Sequence, residues 1–277
     1  MPRNAEEIKS FVKERYGKVA RSKSQSCCGN SCSCQAPTHA EKLYSGEELK
    51  DLPKDVTDVS LGCGNPTAIA ELKAGETVLD LGSGGGIDCF LAAQKVGAKG
   101  RVIGLDMTSD MIQLARRNVQ KMGVKNVEFR LGEMEHMPVP DGSVDAIISN
   151  CVVNLSPDKD AVFGEAYRVL KPGGRLCISD IVLLGELPRE VKESLEQWAG
   201  CIAGALPEDE YLAKIRAAGF TRVTVQRSPL PFYSENDAPK ELNPKEVKTY
   251  LDLRGKIVSA RVRAVKPAKV RNGGKKP

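Results

Sequence analysis

The chain of 277 residues contains little histidine and few aromatic side chains. It has two histidines, His39 and His136, a single tryptophan, and only 5% aromatic residues. Two histidines are too few for a zinc site dominated by imidazole or for a catalytic centre rich in histidine. Few aromatic side chains leave little surface on which bases could stack, so we expect no nucleic-acid partner.

Long apolar runs are also missing from the sequence. The first ten residues include Glu6 and Glu7 and contain no apolar core. A membrane span needs about 18 consecutive apolar residues, and a secretory signal needs an apolar segment. We therefore expect a soluble, cytoplasmic protein with no membrane partner, and a monomer.

The net charge of +5 comes from one end of the chain. Residues 256–277 contain eight Lys or Arg and no Asp or Glu, whereas the rest is slightly acidic. Such a charge run is more often a solvated segment than a binding surface. We expect residues 266–277 to be a basic tail.

Nine cysteines are the unusual feature of the composition. An odd number in a reducing compartment argues against a disulfide framework and favours thiolate ligands, reactive thiols or small buried residues. Four of them, Cys27, Cys28, Cys32 and Cys34, lie in a segment without hydrophobic periodicity. Their spacing is not that of a zinc finger. Capture of a soft ion, redox relay, a fixed metal site and an incidental thiol-rich segment all remain open for them.

Hydrophobic periodicity predicts alternating strands and helices after an N-terminal helix at residues 6–20. Thr108 is the expected N-cap of one helix, and Ser156 with Pro157 is expected to start another, which residues 171–174 should end. The alternation of strands and helices predicts a Rossmann-like, doubly wound α/β fold, with a mostly parallel sheet and helices on both faces. The strands that we predict in this part are residues 77–81, 101–106, 127–131, 144–149 and 175–181.

The C-terminal part is predicted to add two helices, at about residues 188–200 and 207–218. Residues 220–226 alternate as a strand. Residues 256–265 alternate too, and we expect them to form an edge strand whose charged side chains point to water.

A glycine-rich loop, Asp80-Leu-Gly-Ser-Gly-Gly-Gly86, follows the first of these strands. Glycines let the backbone turn tightly and approach a ligand. The spacing departs from the dinucleotide fingerprint, whose third small residue would fall at Ile87. An acid at Asp80 would repel a pyrophosphate but could pair with an amino group. We therefore predict that a methionine-like zwitterion binds here.

Two further positions extend this predicted cofactor site. Asp106, at the end of the second strand, could accept hydrogen bonds from both ribose hydroxyls. Met134, after the third strand, could hold an adenine. A glycine turn without a ligand and an NAD-dependent enzyme are the weaker alternatives.

Three cysteines are predicted to lie near the carboxyl ends of the strands, where open α/β sheets bind ligands. Cys63 precedes the first strand, Cys151 follows the fourth, and Cys201 lies in the region after the fifth. Three thiolates could bind a soft ion, and no histidine stands near to complete a zinc site. Cys177 is expected in the core, whereas Cys89 could be a core residue or take part in disulfide exchange.

Together these motifs resemble the class I S-adenosylmethionine-dependent methyltransferases over residues 70–265. Over nearly the whole chain they resemble the arsenite methyltransferases in particular. The stretches that carry the resemblance are Gly82-Ser-Gly-Gly-Gly-Ile-Asp-Cys-Phe90, Asp106-Met-Thr108, Gly62-Cys-Gly64, Ser149-Asn-Cys-Val-Val-Asn-Leu155 and Gly200-Cys-Ile-Ala-Gly-Ala-Leu206.

The resemblance implies methyl transfer from S-adenosylmethionine to arsenite and monomethylarsenite. It makes Cys63, Cys151 and Cys201 the arsenic(III) ligands and the catalytic residues. A thiol reductant such as thioredoxin or glutathione would be a further partner. The cofactor-binding residues that it implies are Asp80, Gly82, Ser83, Gly84, Gly86, Asp106, Met107, Met134, Glu135 and Asn150.

We accordingly divide the chain into four regions. Residues 1–69 hold the N-terminal helix, the thiol-rich segment and a lid that carries Cys63. Residues 70–185 form the S-adenosylmethionine-binding methyltransferase core. Residues 186–265 form a substrate-covering insertion with the arsenic site and the last strands, and residues 266–277 form the tail.

Two other functions stay open. One is a class I methyltransferase acting on carbon or oxygen of a quinone- or sterol-like molecule, which would need no thiols. The other is a thiolate metal-binding protein, which would need no cofactor.

Overall fold

Seven strands form one sheet in the computed structural model, which describes residues 4–22, 39–57, 62–186, 202, 204–229 and 255–268. The spatial order is β3-β2-β1-β4-β5-β7-β6; the first five in the chain run parallel, and β7 is antiparallel to both β5 and β6. The strands are β1 (Thr77–Leu81), β2 (Arg101–Asp106), β3 (Val127–Leu131), β4 (Val144–Asn150), β5 (Leu170–Leu183), β6 (Thr221–Pro229) and β7 (Ile257–Val265). All seven predicted strands are confirmed, although several boundaries move.

Nine α-helices and one short 3₁₀ helix, Val153–Leu155, lie in the described part of the chain. None of these helices is long and apolar enough to cross a membrane. The predicted helix at about 188–200 and five cysteines, Cys27, Cys28, Cys32, Cys34 and Cys201, fall outside the described residues. The α-helices are α1 (Ala5–Ser22), α2 (His39–Leu43), α3 (Gly46–Leu49), α4 (Lys54–Thr57), α5 (Pro66–Ile69), α6 (Ile87–Val96), α7 (Ser109–Met122), α8 (Lys159–Val169) and α9 (Glu208–Ala217).

Apolar side chains cover both faces of the sheet, as the doubly wound prediction requires. Successive residues of β1 alternate between the faces: Leu79 packs in a cluster with Phe163 of α8, and Val78 packs in another with Phe90 of α6. All four side chains are buried. A parallel sheet covered on two faces leaves its carboxyl ends as the open edge at which ligands bind.

The prediction that β7 is an edge strand is wrong. β7 lies between β5 and β6 over nine residues, so β6 is the edge of the sheet. Ser259 is buried, and Arg261 and Arg263 are half-buried rather than directed wholly to water. The long arginine stems can pack along the sheet while their charged ends reach the surface, where Arg263 pairs with Glu71 at 3.1 Å.

Several element boundaries also differ from the prediction. α8 begins at Lys159, and the side chain of Asp158 caps it by accepting the amide hydrogen of Ala161 at 3.0 Å. Ser156 instead follows the 3₁₀ helix. β5 begins at Leu170, so residues 171–174 are part of the strand. Thr108 lies at the N-cap position of α7, but its side chain makes no capping bond.

Lys266, the first residue of the expected basic tail, is anchored to the fold. Its ammonium group donates to the carbonyl oxygens of Tyr167 at 2.6 Å and of Leu170 at 2.7 Å. It also lies 4.6 Å from the centre of the Tyr167 ring. The fold therefore extends past the boundary expected at residue 266.

Candidate functional site

A cleft opens at the carboxyl ends of β1, β2 and β4. Its floor is the glycine-rich loop, and Val12 and Tyr16 of α1 form part of its wall. Eight of the ten predicted cofactor residues line it, namely Asp80, Gly82, Ser83, Gly84, Asp106, Met107, Met134 and Asn150. The structure thus brings most of the predicted set around one space.

The glycine loop has a backbone conformation that excludes side chains. Gly82 and Gly84 have φ of +67° and +50°, in the left-handed region. The amides of Gly82 and Ser83 both donate to the carbonyl oxygen of Leu105, at 2.8 and 2.9 Å. A Cβ atom on Gly82 would overlap the side chain of Val152. Glycine is therefore required by both conformation and space.

Asp106 ties the loop to the start of α7. Its two carboxylate oxygens accept the amide hydrogens of Gly84 at 3.0 Å and of Thr108 at 2.8 Å. Burial raises the pKa of this carboxyl, whereas these two hydrogen bonds and a third from the side chain of Thr108 lower it. The carboxylate keeps a further lone-pair site for a ribose hydroxyl. Ser83 adds a buried hydroxyl without a hydrogen-bond partner in the described part of the chain, so the cleft fits a polar ligand.

Two predicted cofactor residues do not line the cleft. Gly86 starts α6 with φ of +99°, and a Cβ atom there would lie 2.8 Å from the ring of Phe90. Glu135 accepts a hydrogen bond from the hydroxyl of Ser156 at 2.7 Å and pairs with Lys9 of α1 at 3.0 Å. Both residues support the walls of the cleft in this structure.

Acidic groups lie under the loop. Asp80 is buried, and burial together with nearby Asp88 raises its pKa well above the usual value. Burial raises the pKa of Asp88 to about 6, although Tyr44 donates to both of its oxygens at 3.0 Å. A positively charged group beside Asp80 would stabilise its ionised form. The thiol of Cys89 donates to Asp80 at 3.2 Å, and burial raises its pKa, which favours the core interpretation of Cys89.

Asn150 holds the backbone around Cys63. Its side-chain oxygen accepts the amide hydrogens of Cys63 at 3.0 Å and Gly64 at 3.2 Å, and its amide donates to the carbonyl oxygen of Gly64 at 2.7 Å. The same amide contacts Tyr44 at 2.9 Å and Asp88 at 3.2 Å. A residue predicted to bind the cofactor thus also positions a cysteine of the second predicted site.

Cys63 and Cys151 converge as predicted, at the edge of the cleft. Their sulfur atoms and a carboxylate oxygen of Asp180 lie within 4.8 Å of one another, and all three side chains are buried. Cys63, expected in a lid, contacts the carbonyl oxygen of Ser179 through its sulfur at 3.6 Å. Cys151 has φ of +61°, a conformation that is unfavourable for residues other than glycine and is often found at functional sites. We call these three residues the thiol cluster.

Asp180 was not predicted from the sequence. It lies in β5 with no exposed surface, and burial raises its pKa to about 7. One oxygen accepts hydrogen bonds from the amide of Asn154 and the hydroxyl of Tyr211, both at 3.1 Å, and the other accepts from its neighbour Ile181 at 2.9 Å. An aspartate inside an apolar strand was the available signal, since buried carboxylates are rare.

The position of α1 against the cleft was also missed. Lys9 and Lys13 both pair with Glu133, at 2.7 and 2.8 Å, and Arg21 pairs with Asp110. These ion pairs connect the helix to the turn after β3 and to α7. The apolar face of an amphipathic helix does not indicate which distant part of the chain the helix packs against. Cys177 is fully buried in the core, as predicted, and the side chain of His136 is exposed.

Comparison with known proteins agrees with this geometry. Residues 72–263 match the methyltransferase domain family. A fold of this kind, with a glycine loop and an acidic residue at the end of β2 facing one cleft, defines a class I S-adenosylmethionine-dependent methyltransferase. The structure of an arsenic(III) S-adenosylmethionine methyltransferase from Chlamydomonas reinhardtii is similar, with a TM-score of 0.68 and 32% identity over 85% of this chain and 76% of that one.

The curated relatives are more specific. An arsenite methyltransferase of Halobacterium salinarum is 45% identical over 96% of this chain and 68% of its own length. An arsenite methyltransferase of Aquipseudomonas alcaligenes is 39% identical over 76% of this chain and 61% of its own length. The chain belongs to the arsenite methyltransferase family. It spans 55% to 68% of the length of five such relatives.

Proposed function

We propose that this protein transfers methyl groups from S-adenosylmethionine to trivalent arsenic bound by Cys63, Cys151 and Cys201, with arsenite and monomethylarsenite as substrates. One observation carries the proposal. Cys151 lines the cofactor cleft and also belongs to the thiol cluster. An arsenic atom held there would lie beside the space that the cofactor occupies.

The cysteines bind the substrate and fix its position. Arsenite, As(OH)₃, exchanges each hydroxyl for a thiol, and each exchange releases one water molecule. Soft thiolates suit such an atom better than hard oxygen ligands do. Because Cys63 and Cys151 are buried, the bound arsenic is screened from water. Holding two reacting atoms about 3–3.5 Å apart can supply several kcal/mol of the barrier reduction.

When S-adenosylmethionine is bound, it supplies an electrophilic methyl group on a sulfonium sulfur. The chain's part is to hold this ligand through the glycine loop, Asp106 and Met134. Trivalent arsenic with three sulfur ligands keeps a lone pair, so the protein does not need to remove a proton from the nucleophile.

The electron balance requires a reductant. Methyl transfer forms an arsenic–carbon bond and breaks a sulfur–carbon bond, and it leaves arsenic formally pentavalent. Two thiols must then return two electrons to arsenic and form a disulfide. A thioredoxin- or glutathione-type thiol would reduce that disulfide by exchange.

The test is incubation of purified protein with arsenite, S-adenosylmethionine and a thiol, followed by chromatographic separation of arsenic species. We expect methylated arsenicals only when all components are present. Binding of arsenite without methylation would indicate a thiolate metal-binding protein instead. Methylation of a quinone- or sterol-like molecule in place of arsenite would contradict the proposal, and the thiol cluster does not favour it.

A further inference from the structure

We propose that Asp180 is a specificity-determining residue that contacts the substrate. Its carboxylate accepts a hydrogen bond from the hydroxyl that arsenite keeps while only Cys63 and Cys151 have bound it. This inference rests on the proposed function. It adds an oxygen acceptor to a site that sequence motifs describe by sulfur alone.

The chemistry of the two substrates makes such an acceptor selective. Two thiols displace two hydroxyls of As(OH)₃ as water, so one hydroxyl remains on arsenic. The same two thiols displace both hydroxyls of CH₃As(OH)₂, so only the methyl group remains. A hydroxyl can donate a hydrogen bond, whereas a methyl group on arsenic cannot. An acceptor at this point therefore stabilises the first substrate and not the second.

The geometry leaves one acceptor position on Asp180. A carboxylate offers about four lone-pair sites. The oxygen that faces Asn154 and Tyr211 accepts two hydrogen bonds, and the oxygen that faces Ile181 accepts one. Two of these donors are backbone amides and the third is a fully buried tyrosine, so the carboxylate is fixed in orientation. No further donor in the described part of the chain forms a hydrogen bond to Asp180, so the fourth lone-pair site is open.

The surroundings strengthen this contact. Apolar side chains of Leu155, Ile181 and Leu183 pack around the two cysteines, and Asp180 itself has no exposed surface. A hydrogen bond to a carboxylate away from water is stronger than one at the surface. Soft ions gain little from a carboxylate as a ligand. The carboxylate therefore accepts a hydrogen bond from the hydroxyl and does not coordinate the arsenic atom.

The hydroxyl is held only until a third thiol arrives. Cys201 is the third proposed ligand. Its sulfur would replace that hydroxyl on arsenic, and the hydroxyl would leave as water with the proton of the thiol. Before this exchange, Asp180 would keep arsenite in the cluster by a third contact. In a Cys201→Ser variant the hydroxyl would stay on arsenic.

The experiment compares affinities for arsenite and monomethylarsenite in the full chain without cofactor, in a Cys201→Ser background, because a third thiol would displace the hydroxyl that Asp180 holds. Asp180→Asn keeps the shape of the side chain. When its oxygen accepts from Asn154 and Tyr211, its amide group replaces the oxygen that accepts from Ile181 and presents a donor at the open position. We expect the Kd for arsenite to rise about tenfold or more, and that for monomethylarsenite by less than about threefold. Tyr211→Phe is the matched control, since it removes a hydrogen bond to the same carboxylate but keeps the acceptor. It should leave the ratio of the two affinities unchanged.

Equal weakening of both substrates by Asp180→Asn would overturn the inference, because a merely structural role predicts it. X-ray absorption at the arsenic edge gives a second test with Asp180 intact. Cys201→Ser with arsenite should show two sulfur neighbours and one oxygen, and a spectrum without oxygen would reject the retained hydroxyl. If the native chain binds neither arsenical, the proposed function itself fails. If it binds both and the variant keeps their ratio, only the role of Asp180 fails.

Discussion

The cofactor cleft and the thiol cluster meet at Cys151 but are built in different ways. The floor of the cleft comes from the backbone of the glycine loop and from Asp106, all within one β-α-β segment. The thiol cluster consists of three side chains that come from a loop before β1, the end of β4 and the middle of β5. The cleft floor depends on a backbone conformation that glycine allows. The thiol cluster depends instead on the chemical groups of its individual side chains.

The two regions are joined by Asn150. It lines the cleft, and its three short hydrogen bonds to Cys63 and Gly64 set the position of one thiol. If the regions are otherwise independent, substitutions in one should spare ligand binding in the other. Four variants test this separation.

Cys151→Ser should reduce arsenite methylation below detection, because serine cannot supply the soft ligand that arsenic requires. Binding of S-adenosylmethionine, measured by calorimetry, should persist. Cys177→Ser is the matched control, since Cys177 is buried in β5 outside the thiol cluster. Methylation by Cys151→Ser at the native rate would remove this residue from the arsenic site.

Asp106→Ala should raise the Kd for S-adenosylmethionine about tenfold to a hundredfold, since a buried charged acceptor and two supports of the glycine loop are lost. Arsenite binding to the same variant should stay near the native value. Both affinities can be measured separately by calorimetry. A parallel fall in both would mean that the cleft and the thiol cluster are not independent.

Asn150→Ala should weaken arsenite binding about tenfold in protein without cofactor, because the backbone that carries Cys63 loses its support. Asn126→Ala is a matched control, since Asn126 donates to the carbonyl oxygen of Gly97, remote from both sites. A variant that loses only cofactor affinity would show that Asn150 serves the cleft alone.

Lys9→Ala should raise the Kd for S-adenosylmethionine by no more than about threefold, since partly exposed ion pairs contribute little. The effect should shrink as salt is added, because ions screen the attraction to Glu133 and Glu135. Lys18→Ala removes an exposed pair with Glu14 within α1 and should change nothing. A large and salt-independent loss for Lys9→Ala would mean that α1 contributes more than a wall to the cleft.

Local patterns predicted the cleft well. The strand boundaries of β1 and β2 match the sequence prediction, because buried apolar runs between turn residues identify strands. Glycine spacing and a terminal acid identified the loop and Asp106. The sequence predictions are wrong where contacts with segments distant in sequence determine the structure. The alternation in β7 is typical of an edge strand, but the strand lies between two partners. Lys266 was assigned to the tail, but its ammonium group donates to two carbonyl oxygens.

The class of sheet, the cofactor loop and the candidate thiols could be predicted from the sequence, because each depends on residues close together in the chain. The folded chain adds that Cys63 and Cys151 meet beside a buried Asp180, that Asn150 supports the backbone at Cys63, and that α1 forms part of the cleft wall. These contacts join segments distant in sequence. They follow from the packing of the sheet as a whole, since strand order and register fix which side chains share its carboxyl edge.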